Sequence, residues 1–178
     1  MTNLELEQFI LENQKAIYSF CRQLTHNTEE AEDLYQDTFL KAFELDKNMK
    51  LEQNPKSYLL SIAIRLWKNK KRKYAWRRRI AEEKLLLEEE GEVEVLYKKQ
   101  LPEAQVIDNE QREIVLQLVN ALPEKLRLTV LLFYMEEMSV VQIADVMKIP
   151  KGTVKSRLYK ARKLLEKSLQ QNGIDTWL

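Results

Sequence analysis

The sequence predicts an all-α protein: two small helical domains joined by a flexible linker, the C-terminal one a helix-turn-helix. Three observations carry that expectation. Glycine and proline are scarce, 3 and 4 in 178 residues, so few positions break a helix. Apolar residues recur at steps of three, four and seven through both ends of the chain, which is the spacing of one helix face. Between these ends lies "EEKLLLEEEGEVEVLYKK", followed by the breaker "LPEAQ". The expected organisation is therefore a domain over 1–79, an acidic linker over 80–110 and a second domain over 111–178. Apolar residues make up 44% of the chain, enough for a core in each domain.

The first helix is expected over 4–24, with Leu6, Phe9, Ile10, Ile17, Phe20 and Leu24 inward. "THNTEE" ends it, and Asn27 or Thr28 can cap a second helix whose first turn carries Glu29 and Glu30, where acids suit the helix dipole. That helix runs to about Leu45. Ala31, Leu34, Tyr35, Thr38, Phe39, Ala42 and Phe43 form its buried face, and Asp33, Gln36, Asp37, Leu40, Lys41 and Glu44 the other. "DKNMKLEQNP" is a loop. Asn54 and Pro55 then suit the cap and first position of a third helix. Tyr58, Leu59, Ile62, Ala63 and Leu66 are its inward stripe, while Arg65, Lys68, Asn69 and Arg72 share one exposed face.

Four helices are expected after the linker. The first, 109–121, buries Ile114, Val115, Leu118 and Ala121. Pro123 opens the next, through Leu126, Val130, Leu131 and Phe133. Ser139-Val-Val-Gln142 has the capping-box form ahead of a short helix, Val140 to about Met147, which buries Ile143, Ala144 and Met147. "KIP" turns the chain, and Pro150 suits the first position of a last helix reaching about Leu169.

Two short helices joined by a tight turn suggest helix-turn-helix. On a helical wheel Val154, Leu158, Ala161 and Leu165 fall within about one quadrant. Opposite them lie Gly152, Ser156, Tyr159, Lys160 and Lys163, with Thr153 and Lys155 on the flanks and Lys151 and Arg157 adding charge. The N-terminal half thus offers small and hydrogen-bonding residues for base edges, and the C-terminal half offers cations for phosphates.

Net charge is only +1, but it is unevenly spread. Residues 1–54 carry 5 basic and 11 acidic side chains, 55–79 carry 10 and none, 80–113 carry 4 and 11, and 114–178 carry 10 and 6. Two basic zones in a near-neutral chain point to two contacts with polyanions. The first zone holds the basic helix over 65–73, with Lys73 at its end and Trp76 beside it. Trp67 adjoins that face but is expected in the core.

The residues carry a resemblance. "MSVVQIADVMKIPKGTVKSRLYKARKLLEK" resembles the C-terminal promoter-binding domain of bacterial RNA polymerase sigma factors, and "TVKSRLYKAR" is very close to that family's recognition helix. "AEDLYQDTFLKAFE" at 31–44 resembles the sigma helix that docks on the polymerase clamp. "NPKSYLLSIAIRLWKNKKRK" at 54–73 resembles the helix that handles the melted minus-10 element. The matches keep the family's order over about three quarters of the chain. One linker of about thirty residues leaves no room for a middle domain, which is the layout of the extracytoplasmic-function group.

The resemblance implies roles. Asp33, Gln36, Asp37, Leu40 and Lys41 would bind core polymerase. Lys56, Ser57 and Tyr58 would capture a flipped base, with the loop 46–56, and Arg65, Lys68, Asn69, Arg72 and Lys73 would hold the minus-10 strand. Lys151, Gly152, Thr153, Lys155, Ser156, Arg157, Tyr159, Lys160 and Lys163 would read the minus-35 duplex. The linker would thread toward the active-site channel and RNA exit path, and an anti-sigma factor is an expected partner. The chain departs from the family at Lys148, where a turn glycine is usual, at Arg65 and Asn69, where Asn and Asp are common, and at Tyr58, where Trp is frequent.

Other classes fit less well. No catalytic constellation stands out: His26, the one histidine, sits in a capping loop, Cys21 lies on an apolar helix side, and no metal-ligand spacing or glycine-rich phosphate loop occurs. No cofactor or metal is expected. A stand-alone helix-turn-helix regulator explains 111–170 but not 31–79, and an RNA-binding protein would use the basic helix alone. No apolar run approaches the ~18 residues of a membrane span, the N-terminus is unlike a signal peptide, and a single cysteine fits a reducing compartment. A cytoplasmic location is expected.

Overall fold

The computed structural model describes residues 3–45, 55–85 and 109–171. The described residues form seven α-helices and one π-helical turn, with no strand. The chain divides into two compact units, Met1–Lys98 and Lys99–Leu178.

The first unit packs α1 (Asn3–Thr25), α2 (Thr28–Leu45) and α3 (Pro55–Leu85) against one another. Its core is Ile17, Phe20, Cys21 and Leu24 of α1, Ala31, Leu34, Phe39 and Ala42 of α2, and Leu59, Leu60, Ile62, Ala63, Ile64 and Trp67 of α3. Trp67 belongs to the core, as its place on the apolar stripe implies. Tyr35, Phe43, Phe9 and Ile10 are half-buried rather than enclosed. Phe9, Tyr18, Tyr35, Phe39 and Phe43 instead form a chain of ring contacts, Tyr35 lying 5.0 Å edge-on to Phe39. Thr38 is fully buried and satisfies its hydroxyl by donating to the Leu34 carbonyl at 2.6 Å.

Local signals set the α1–α2 corner. His26 takes a left-handed conformation, φ 57°, and donates its N–H to the Arg22 carbonyl, ending α1. Of the two expected caps Asn27 serves: its Oδ1 accepts from the Glu30 N–H at 3.1 Å. The loop from residue 46 to Asn54, including the expected Asn54 cap, lies outside the described residues, as does the Leu6 side chain. The helix α3 continues beyond the expected boundary at 79, through Leu85, because "IAEEKL" contains good helix formers and no breaker. Residues 80–85 and 109–110 of the expected linker are thus helical, and 86–108 lie outside the described residues.

The second unit comprises α4 (Asn109–Ala121), α5 (Glu124–Val130), a π-helical turn (Leu131–Met135), α6 (Val140–Met147) and α7 (Lys151–Gln171). Leu128, Val130, Leu131, Leu132, Met138, Ile143, Val154, Leu158 and Ala161 fill its core. Two expectations need correction. In α4 Val119 is buried, as is Leu122 just after it, while Ala121 is exposed. The inward stripe runs Val115, Leu118, Val119, Leu122, and Ala121 sits about 110° from its centre. The helix opened by Pro123 is not uniform either. After Val130 it widens, so that the Glu136 N–H reaches the Leu131 carbonyl five residues back at 3.2 Å. Arg127 is buried here; burial lowers its pKa, and nearby Glu124 works the other way.

The capping box at α6 is complete. The Gln142 N–H donates to Ser139 Oγ at 3.3 Å, and the Ser139 N–H donates to Gln142 Oε1 at 2.8 Å. Lys148 ends α6 in the left-handed region, φ 54° and ψ 50°. Its N–H and that of Ile149 both donate to the Ala144 carbonyl. Pro150 stands one position earlier than expected, as the cap of α7, its carbonyl accepting from Thr153 and Val154.

Candidate nucleic-acid interface

In the second unit α7 is held from below by Val154 and Ala161, both 0% exposed, and by Leu158. That anchoring fixes which side chains face outward. Lys151, Gly152, Lys155, Ser156, Tyr159, Lys160 and Lys163 are exposed, and Thr153 and Arg157 are half-buried on the flanks. The nine residues expected to meet duplex DNA therefore share one outward surface. A Cβ added at Gly152 would meet nothing within 4 Å. Packing within the chain does not require glycine there; close approach of an outside partner would use the space. Ser156 Oγ donates to the Thr153 carbonyl at 3.1 Å, a bond readily exchanged for an external one. Lys163 pairs with Glu166 at 2.9 Å, which raises its pKa and leaves it a weaker anchor for an anion than Lys160.

In the first unit the outward face of α3 carries Arg65, Lys68, Asn69, Arg72 and, on its flank, Lys73, all exposed. Arg72 Nη2 donates to Asn69 Oδ1 at 2.9 Å, which orders the guanidinium along the helix. Lys56, Ser57 and Tyr58, one turn at the start of α3, are half-buried. Trp76 is 63% exposed and falls on the same face as Arg65 and Arg72, eleven residues after the first and four after the second. Lys71 lies 4.9 Å over the Trp67 ring, which ties the basic stretch to the core.

The polar face of α2 presents Asp33 and Gln36, with Leu40 61% exposed among them; Asp37 and Lys41 are half-buried. Two of its charges are already engaged. Asp37 Oδ2 meets Lys70 Nζ at 3.2 Å, joining α2 to α3, and Lys41 bonds Glu44 at 2.7 Å. The periodicity of the sequence did not reveal a shallow apolar groove lined by Ile10, Tyr35, Gln36, Phe39, Leu40 and Phe43. Ile10, Tyr35, Phe39 and Phe43 belong to the expected core stripes and Gln36 and Leu40 to the expected outer face; the half-burial of Ile10, Tyr35 and Phe43 in the bundle leaves the groove open between them.

Cys21 is fully buried, and burial pushes its thiol up to about 12, with nearby Lys70 pulling weakly the other way. It is not a reactive thiol. Among the described residues no group of His, Cys, Asp and Glu is placed to hold a metal ion, and no helix is long and apolar enough to cross a membrane.

Comparison with known proteins places both surfaces within matched regions. The Sigma-70 region 2 family model matches residues 9–77, and the Sigma-70, region 4 model matches 112–165. The ECF RNA polymerase sigma factor SigW of Bacillus subtilis is 30% identical over 159 residues, covering 86% of this chain and 83% of that protein. The RNA polymerase sigma-H factor of Pseudomonas aeruginosa is 32% identical over 165 residues, covering 90% and 84%. Among solved structures, the sigma factor RpoE of Bartonella quintana, bound to the anti-sigma factor NepR, aligns with a TM-score of 0.72 at 22% identity, over 93% of this chain and 97% of that one. CnrH, in complex with the cytosolic domain of CnrY, aligns at 0.66 and 16% identity, over 96% and 90%. These two structures share the fold.

Proposed function

We propose a division of labour for this chain, which belongs to the extracytoplasmic-function (ECF) RNA polymerase sigma factor family. As a sigma factor it binds core RNA polymerase and directs it to promoters. The domain over 1–79 engages the polymerase and the melted minus-10 strand, and the domain over 111–178 reads the minus-35 duplex. A stand-alone regulator needs only the second of these, and it leaves the region 2 match over 9–77 without a purpose.

The observation that carries the assignment is the outward surface of α7. Its inner side is pinned by Val154, Leu158 and Ala161, so Gly152, Ser156 and Lys155 face a groove with their backbone close to base edges, and Lys160 and Lys163 follow toward phosphates. In the first unit Arg65, Lys68, Arg72 and Lys73 neutralise the phosphates of the exposed strand while Trp76 stacks on a base. Lys56, Ser57 and Tyr58 receive the flipped base. Leu40 anchors the polymerase contact, flanked by Asp33, Gln36, Asp37 and Lys41, an apolar centre within a polar rim. Chemistry belongs to the polymerase, and the chain supplies recognition. Because the RpoE structure holds an anti-sigma factor, an anti-sigma factor for this chain is part of the same reading, as is a cytoplasmic site of action.

Run-off transcription tests it. The purified chain is added to sigma-free core polymerase with a library of genomic promoter fragments. Discrete new transcripts whose templates share two spaced motifs are expected. No transcript, together with failure to co-elute with core enzyme, overturns the reading.

A further inference from the structure

The basic stretch of α3 has two sides, and the division of labour above uses only one. Every residue from Lys68 to Arg79 is exposed, so both sides of this stretch of helix face solvent. Arg65, Lys68, Asn69, Arg72, Trp76 and Arg79 cluster on one side. Lys70, Lys71, Tyr74, Arg77 and Arg78 cluster about 170° away on an ideal wheel. Each side carries four cations and one solvent-facing aromatic ring: Trp76 at 63% exposure on the first, Tyr74 at 72% on the second. No acid occurs between Pro55 and Arg79. On the second side Lys70 meets the Asp37 carboxylate of α2 at 3.2 Å.

One DNA strand tracks one groove or face at a time. Cations around an exposed ring, on a stretch with no acid of its own, attract a polyanion. The ring narrows the choice of polyanion. A duplex offers phosphates but keeps its base faces stacked, whereas an unpaired strand offers both phosphates and a base to stack on Tyr74.

We propose that this second side of α3, Lys70, Lys71, Tyr74, Arg77 and Arg78, holds the other DNA strand of the melted element. The helix, ~10–12 Å across with its side chains, then stands between the two strands and opposes their re-annealing. The contact is to phosphates and to one base face, so it is independent of sequence. This rests on the sigma reading and on the assignment of the first side to the minus-10 strand.

The test uses holoenzyme assembled from the full chain and core polymerase. Two promoter probes share the same flanking duplex and the same unpaired minus-10 strand. In one the complementary strand stops at the fork, and in the other it continues as a non-complementary single strand. Wild-type holoenzyme should bind the second probe more tightly. The triple variant Tyr74→Ala/Arg77→Ala/Arg78→Ala should lose that advantage, by about tenfold or more, with binding to the first probe unchanged. Equal losses on both probes would mean that this side meets the flanking duplex or the first strand, and would overturn the proposal, as would no loss on either. Trp76→Ala reports on the first side separately: it should weaken both probes, and if it weakens neither, the assignment of that side fails while the two-probe comparison still decides the second. A photo-crosslinking residue at position 74 of the otherwise unaltered chain gives an independent readout. Adducts on the complementary strand are expected, and adducts confined to the flanking duplex or the first strand overturn the proposal.

Discussion

Lys148 shows how a single residue departs from its family's usual choice without changing the fold. A left-handed lysine pays a steric cost of about 1 kcal/mol that glycine does not, yet the N–H groups of Lys148 and Ile149 still close the end of α6 on Ala144. Lys148→Gly should therefore raise stability by up to about 1 kcal/mol, offset in part by the greater freedom of glycine in the unfolded chain. Denaturant titration measures it, and a loss of stability would mean that the lysine side chain contributes more than its backbone costs. Cys21 gives a pH-dependent case. Its thiol rises from 9.0 in the absence of structure to about 12 in the fold, chiefly through burial. The folded state therefore holds the proton more tightly. The contribution is intact below pH 9 and is lost as pH rises from there toward 12, by about 1.4 kcal/mol per pH unit at most. Melts of the wild type and Cys21→Ala between pH 7 and 10.5 should differ by a constant amount up to about pH 9 and converge above it. A constant difference throughout would mean the thiol is not desolvated.

At the scale of the helix, α7 separates binding from folding. Ser156 and Lys160 are exposed, while Val154, Leu158 and Ala161 carry the packing. Alanine is the better helix former at both outward positions, so Ser156→Ala and Lys160→Ala should leave the melting temperature within a degree or two. Their effects on minus-35 DNA should differ in kind. Ser156→Ala, losing a base-edge contact, should cost about tenfold on the preferred sequence and less on others. Lys160→Ala, losing a phosphate contact, should weaken all sequences alike and reduce the salt slope by about one. Binding titrations at several salt concentrations distinguish the two, and a salt-slope change for Ser156→Ala would reverse the assignments. These helices were legible in the sequence because their signals are local: the Ser139–Gln142 box, the Asn27 cap and the alternation of Val154, Leu158 and Ala161. The features that were not legible depend on neighbours. The π-helical turn at Leu131–Met135 has no glycine or proline to mark it and exists because the chain must seat Leu131, Leu132 and Met138 in one core. Ala121 fits an apolar stripe by type, but α5 and α7 set the rotation of α4, and Val119 and Leu122 turn inward instead. The extension of α3 past 79 was missed because a shift in charge looks like a boundary, although charge alone does not break a helix.

For the whole molecule, the near-zero net charge hides zones of opposite sign, and the two units carry different work. Leu40 belongs to the first unit and to neither DNA surface. It is 61% exposed at the edge of the Ile10–Phe43 groove, so a charge there costs the fold little. At the centre of a protein interface the same charge would be buried without a partner, at about 2 kcal/mol or more. Leu40→Asp should thus weaken association with core polymerase by roughly thirtyfold and reduce transcription from every promoter in proportion. The α7 variants should behave differently, co-eluting with core enzyme as the wild type does and losing transcription only where a minus-35 element is needed. Co-elution and run-off transcription of the three variants side by side test this separation. If Leu40→Asp retains core binding while its transcripts fall only at some promoters, the polymerase contact lies elsewhere on the first unit and the exposed leucine has another partner.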